Sequence, residues 1–123
     1  MKLELSPLPH TWILDVDGTI VKHNGYKIDG YDTLLEGVAE FFAHLPAEDK
    51  VVLLTARKDE QLEELKKFLT QNHLRYDSIV TDMPLGERIL INDNKPSGLK
   101  MAFAIDKKRD SAWNLDYTIN EKL

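Results

Sequence analysis

Two carboxylates one residue apart, Asp15 and Asp17, follow an apolar run in the stretch "WILDVDGTIV" at residues 12 to 21, and Gly18 and Thr19 come directly after them. A strand that ends in acids and then breaks at glycine fixes charged groups at an edge where a ligand can reach them. Thr55, Ala56 and Arg57 close a second apolar run at 50 to 55, and Asn92, Asp93, Asn94 and Lys95 close a third at 88 to 92. In an open α/β sheet, ligands bind beyond the carboxyl ends of the strands, so the three clusters are expected to converge on one site.

The chemistry open to such a cluster follows from its donors. Carboxylates from two strand ends make an oxygen-only set suited to Mg²⁺, which keeps several waters and binds through one or two carboxylates plus a substrate phosphate. The metal offsets repulsion between carboxylate and phosphate, so Asp15 could attack phosphorus and form an aspartyl-phosphate. The chain turns at Gly18, so Asp17 could swing toward the leaving group, protonate it and later deprotonate water, while its carbonyl faces the metal. Thr55 would donate its hydroxyl to the phosphoryl oxygens, and a lysine or arginine would balance their charge. Bland readings stand beside these. Asp and Gly also favour plain turns, Thr55 could cap the following helix, and isolated basic residues are most often solvated. An EF-hand loop is disfavoured because its sixth position requires glycine, where this chain has Ile20.

Several elements must position these residues. Apolar segments at 11 to 16, 50 to 55, 77 to 81, 88 to 92 and 101 to 105 read as five strands. The first four are near-continuous, which suits strands covered on both faces. The segment 32 to 45 carries Leu34, Leu35, Val38, Phe41, Phe42 and Leu45 at helical spacing, with Asp32 or Thr33 as cap and Pro46 as terminator. A second helix is expected over 58 to 72, with acids early and lysines later. Alternation of strand and helix predicts an α/β doubly wound fold. One link is too short for a parallel crossover: "DMPLGE", at 82 to 87, leaves either an edge strand with an extended connection or a hairpin. Residues 20 to 31 read as a small hairpin or flap, in which His23, Tyr26 and Tyr31 are candidates for substrate contact or packing. The tail carries Trp113 and Tyr117, which are expected to pack on the body.

"DVDGT", "VVLLTAR" and "ILINDNKPSG", in that order, resemble three signature motifs of the haloacid dehalogenase (HAD) superfamily of phosphatases, over roughly residues 10 to 105. The resemblance implies a Rossmann-like core with a mainly parallel five-stranded sheet and flanking helices. It implies Asp15 as nucleophile and metal ligand, Asp17 as general acid/base and metal ligand through its carbonyl, Thr55 as phosphate ligand and Asp93 as metal carboxylate. An aspartate at position 17 points to phosphate-ester hydrolysis, because the dehalogenase and P-type ATPase branches carry another residue there. The last motif of the family usually has two acids. Here Asn92 and Ser97 stand where a second is expected, and Asn92 is retained as a candidate metal ligand. For the basic residue the candidates are Lys95, Arg88 and Arg57. Lys95 is preferred, since Arg88 would lie at the wrong strand end unless its loop doubles back. The insertion after Asp17 is too short for a cap domain, which makes the chain resemble capless members, closest to small phosphatases of bacterial capsule and surface-polysaccharide synthesis. Such members act on macromolecular phosphates or on sugar phosphates, the latter with the open site closed by a neighbouring subunit. Three readings follow: a Mg²⁺-dependent phosphomonoesterase for a small sugar phosphate, a phosphatase for nucleic-acid ends or phosphoproteins, and a non-catalytic phosphate- or partner-binding domain.

Composition bounds the rest. A chain of 123 residues has room for one ordinary domain, and 42% apolar with 30% charged residues describes a globular protein. Zero cysteines exclude disulfides and thiolate catalysis, and the four histidines lack ligand spacing. A net charge of -5 disfavours a sequence-independent grip on nucleic acid, and "DKKRD" at 106 to 110 reads as a solvated turn. No span approaches the roughly 18 apolar residues of a membrane helix, and the first ten residues lack the apolar stretch of a signal peptide, so a cytoplasmic location without a membrane partner is expected.

Overall fold

Valine, isoleucine and leucine fill the runs that become the central strands, as their fit to a pleated, buried surface dictates. A computed structural model of the chain, which describes residues 2 to 123, shows an α/β fold with the order β1 (Lys2–Leu5), β2 (Thr11–Asp15), α1 (Gly25–Ile28), α2 (Val38–Ala43), β3 (Lys50–Leu54), α3 (Leu62–Gln71), β4 (Ser78–Val80) and β5 (Asp116–Ile119). A 3₁₀ turn, Asp59–Gln61, leads into α3. Strands β2, β3 and β4 form a parallel sheet in that spatial order, and β1 pairs in parallel with β5 in a second, two-stranded sheet.

Register decides what the strand ends offer. Thr11 is paired with Lys50 and Asp15 with Leu54, so Thr55 lies one residue beyond the partner of Asp15. The far end is pinned by the buried Asp49, whose carboxylate accepts hydrogen bonds from the Trp12 Nε1 and the His10 amide, both at 3.0 Å. A one-residue slip would break both and turn every side chain of β2 to the opposite face.

The three strands follow one another in the same direction across the sheet. Right-handed crossovers then place both α2 and α3 on one face. Burial reflects this: Trp12 and Leu14 of β2 and Val51 and Leu53 of β3 are buried with Val38, Phe42, Leu65 and Leu69, while Ile13 is 46% exposed. The expectation of strands covered on both faces is therefore corrected to an alternating pattern.

The five-stranded sheet is also corrected. Residues 88 to 92 and 101 to 105 are in neither sheet, and Leu85 and Ile91 are 93% and 90% exposed. Strand-like composition alone did not bring them in. The seven residues between Val80 and Arg88 are too few to return the chain for a parallel partner, and β4 remains an edge strand. The hairpin alternative fails as well, since no strand follows β4 until β5.

The long helix expected over 32 to 45 contracts to Val38–Ala43. Its first turn is used elsewhere. Val21 and Leu34 form an antiparallel bridge, and the Leu35 amide donates to the Ile20 carbonyl at 3.0 Å. Asp32 and Thr33 thus lie outside the helix and do not cap it. Gly37 stands at the N-cap with φ of 88°, directly under Trp113, whose amide donates to the Glu36 carbonyl at 2.7 Å. The segment 20 to 31, expected as a small hairpin or flap, carries the single helical turn α1 in place of paired strands, and the excursion is closed at its base by the Val21–Leu34 bridge. The helix expected over 58 to 72 is present as the 3₁₀ turn and α3. The tail packs on the body through Trp113, Leu115 and Tyr117 and adds β5, which polar "DYTI" did not announce. No helix among the described residues is long and apolar enough to cross a membrane.

Candidate functional site

Strand β2 delivers Asp15 at its last position, with its carboxylate 35% exposed. The chain then folds sharply: the amides of Thr19, Ile20 and Val21 all point to the Val16 carbonyl, and Gly18, with φ of 86°, donates to the Val21 carbonyl at 2.7 Å. The buried side chains of Val16, Ile20 and Val21 anchor this turn in the core. Within it, the Thr19 hydroxyl donates to Asp15 Oδ2 at 3.0 Å, and Arg88 Nη1 donates to Asp15 Oδ1 at 3.0 Å. Arg88 reaches the β2 end because residues 88 to 92 form no strand that would begin it at the opposite edge.

Asp17 is held differently. Arg57 Nε and Nη2 donate to its two oxygens at 3.1 and 2.8 Å, a bidentate fork. The same guanidinium forks to Asp32 through Nη1 at 3.1 Å and Nη2 at 2.7 Å, and lies 4.0 Å from the Tyr26 ring centroid. The Arg57 side chain is 3% exposed, Asp32 6% and Asp17 16%. Burial alone would lower the Arg57 pKa. The hydrogen bonds to Asp17 and Asp32 and their charges outweigh it and hold the guanidinium above its ordinary range.

Thr55 is buried, its amide donating to Val80 and its carbonyl accepting from Met83, so the β3 end is tied to the β4 end. Its hydroxyl oxygen accepts the Arg57 amide at 3.1 Å, a local turn bond that leaves the hydroxyl proton free to be directed.

The structure thus brings together Asp15, Asp17, Thr55, Arg57 and Arg88. Asn92, Asp93 and Lys95 lie on the exposed segment after β4. Asn92 bonds the Asp93 carbonyl, Lys95 closes a turn with Gly98 and Leu99, and none of the three bonds to Asp15, Asp17 or Thr55 among the described residues. Their expected convergence depended on a strand at 88 to 92, which is absent. Three participants carried no sequence signal strong enough to find them. Asp32 reads as a helix cap, Tyr26 reads equally as packing, and the "DKKRD" turn reads as solvated. In fact the Asp110 amide donates to the Gly18 carbonyl at 2.9 Å, its carboxylate accepts the His23 amide at 2.7 Å, and the Arg109 side chain lies over Gly18.

Hard oxygen donors at the β2 end fit Mg²⁺ in kind. The Asp15 side chain is 35% exposed, and no backbone donor among the described residues bonds the Asp17 carbonyl. No group of three or more His, Cys, Asp or Glu side chains with metal-binding placement occurs among the described residues. Two protein donors are within what Mg²⁺ accepts, since it keeps several waters. Asp15, Asp17 and Asp32 against Arg57 and Arg88 leave the cluster one net negative charge. Compared with protein-family models, curated proteins and solved structures, the chain matches none.

Proposed function

We propose that the protein is a Mg²⁺-dependent phosphomonoester hydrolase of the HAD type, working through an aspartyl-phosphate on a small sugar phosphate. The reading is supported above all by one observation: Asp15, at the carboxyl end of β2, carries an arginine on one carboxylate oxygen and a threonine hydroxyl on the other, with Asp17 two residues on. The motif resemblance described from the sequence points the same way.

In this reading Asp15 attacks phosphorus. The bond to the ester oxygen breaks, and the electron pair leaves on that oxygen, which takes a proton from Asp17 once that carboxyl has been released from the Arg57 fork and protonated. Water then attacks the phosphoryl group and gives its proton to Asp17. The bond to Asp15 breaks, and the carboxylate and inorganic phosphate are regenerated. Arg88 is the cation for the phosphoryl oxygens, since it already reaches Asp15 and is free to turn from it to the incoming anion. Thr55 supplies a hydroxyl donor from the neighbouring strand end. The Asp15 carboxylate and Asp17 carbonyl would hold Mg²⁺, which when bound offsets the repulsion between carboxylate and phosphate. Arg57, engaged by two carboxylates, organises the site rather than receiving phosphate. A small phosphate ester as substrate and a cytoplasmic location complete the proposal.

The test is hydrolysis of an aryl phosphate with and without Mg²⁺, followed by a panel of phosphorylated metabolites. Asp15→Asn is expected to abolish turnover with its melting temperature retained. Full activity in that variant overturns the mechanism.

A further inference from the structure

A folded chain pairs most of its backbone donors and buries most of its long apolar side chains. Residues 85 to 105 do neither. From Leu85 to Asn94, and again from Leu99 to Arg109, no amide donates to another backbone group among the described residues. Between them lies a turn, in which the Lys95 amide donates to the Leu99 carbonyl at 3.0 Å and the Gly98 amide to the Lys95 carbonyl at 2.8 Å. Two arms, 85 to 92 and 101 to 105, lead into and out of that turn, and they leave Leu85, Ile89, Ile91, Met101, Phe103 and Ile105 exposed. Ile89 and Ile91 are two apart, and so in succession are Met101, Phe103 and Ile105, a spacing that puts each set on one face of an extended chain.

The total surface gives the scale. A folded monomer of 14.1 kDa is expected to expose about 6,700 Å², whereas this chain exposes 8390 Å². The surplus on that scaling is about 1,700 Å² per chain, against roughly 800 Å² per partner in a standard interface and more in permanent homodimers. Charge then selects the occupant. The chain carries -5 in all, but residues 84 to 105 hold Glu87 and Asp93 against Arg88, Lys95 and Lys100, which leaves this segment at +1 and the remainder at -6. Two copies can meet through the arms without the repulsion that contact through the rest of the surface would bring.

We propose that the arms are the interface of a twofold dimer of this chain: residues 85 to 92 and 101 to 105 of each copy pack against the same arms of the other, burying their apolar side chains and giving their amides carbonyl partners across the axis. A twofold contact uses the same patch on both copies and so closes without leaving a second adhesive face. Free amides beside apolar side chains call for another extended segment, since a small apolar ligand would satisfy the side chains alone. The proposal goes beyond the hydrolase reading, and none of its observations concerns turnover.

Sedimentation equilibrium of the full chain is expected to give twice 14.1 kDa, and hydrogen exchange to show the amides of 88 to 92 and 101 to 105 protected. Ile89→Glu combined with Ile91→Glu places charge where the single chain is exposed, so the circular dichroism of the fold is expected to persist while the mass halves and the protection is lost. Phe103→Glu, on the other arm, serves as the second variant should that pair not fold. Ile28→Glu, at an exposed apolar residue of α1 outside the arms, is expected to leave the mass doubled. A wild type that sediments at 14.1 kDa overturns the proposal, whatever its exchange. So does a dimer that survives both arm variants, an equal loss of mass in Ile28→Glu, or growth past the dimer into open-ended assemblies.

Discussion

Gly37 and Gly18 have nearly the same backbone, φ of 88° and 86°, but different surroundings, and the comparison measures how the chain's tail is held. A β-carbon added at Gly18 would stand 3.1 Å from Arg109 Cγ, part of a flexible side chain that can give way. At Gly37 it would stand 2.5 Å from the Trp113 carbonyl oxygen, which is backbone. Alanine at either site bears the left-handed penalty of about 1–2 kcal/mol. Gly37→Ala must also move Trp113 by roughly an ångström to restore ordinary contact. That strains its amide bond to Glu36, worth about 1 kcal/mol, and its ring contact with Phe41 at a centroid distance of 4.9 Å, worth about 0.5–1.5 kcal/mol. Gly37→Ala is thus expected to cost about 2 kcal/mol more than Gly18→Ala, or about 8 °C in Tm for a domain of this size. Urea unfolding followed by tryptophan fluorescence reads the difference directly, since Trp12 and Trp113 are the two tryptophans of the chain. Equal costs for the two substitutions would show that the tail does not rest on Gly37, and the account of why α2 begins there would fall with it.

Other predictions concern single groups. Asp49→Ala leaves the Trp12 indole N–H and the His10 amide without their acceptor, and is expected to cost about 2–3 kcal/mol in denaturant unfolding; a loss under 0.5 would refute the pinning of the β2 register. Arg88→Ala removes a half-exposed ion pair, so stability should stay within about 0.5 kcal/mol while aryl phosphate turnover drops by at least tenfold; an unchanged turnover argues against Arg88 as the phosphate cation. Asp77 accepts the Val51 amide at 2.7 Å, and that bond first, then Lys50 and Arg75, hold its carboxyl below the usual 3.8. A depressed folded pKa means that the stability it contributes is intact above 3.8 and is lost as pH falls toward the lower folded value. Unfolding midpoints of wild type and Asp77→Asn should therefore converge in that acid window and diverge above it.

The runs that became β2, β3 and β4 were legible because apolar β-branched composition is a local property, and the same holds for the α3 stripe. Asp15, Asp17, Thr55 and Arg57 were legible as a group because each follows a strand end, and parallel strands bring such ends to one edge. What failed was the inference from composition to partnership. Ile89 and Ile91 have the composition of a strand, yet a hydrogen-bonding partner is a matter of chain path, and the short link at 82 to 87 was the one sign that the path does not close. The 32 to 45 helix was overextended because Leu34 and Leu35 keep helical spacing while the backbone around them pairs with residues 20 to 22, the Leu35 amide donating to Ile20 and the Thr33 carbonyl accepting from Lys22, a long-range preference that periodicity does not register. Asp32 was misread for a related reason. An aspartate before a helical stripe is a good cap, and its true partner, Arg57, lies on a different loop.

The pairing of β1 with β5 has a consequence for the order in which the molecule can be made. Strands β2, β3 and β4 and the two crossover helices are all present once Val80 has been synthesised, so the sheet that carries Asp15 can form while the rest of the chain is still emerging. Lys2, which pairs with Asp116, must wait until the segment that follows β4 has been made as far as β5. Strand β1 thus emerges well before its partner β5, and until then it presents an unpaired edge. The Glu36–Trp113 bond, made just ahead of β5, brings the late strand toward that waiting edge.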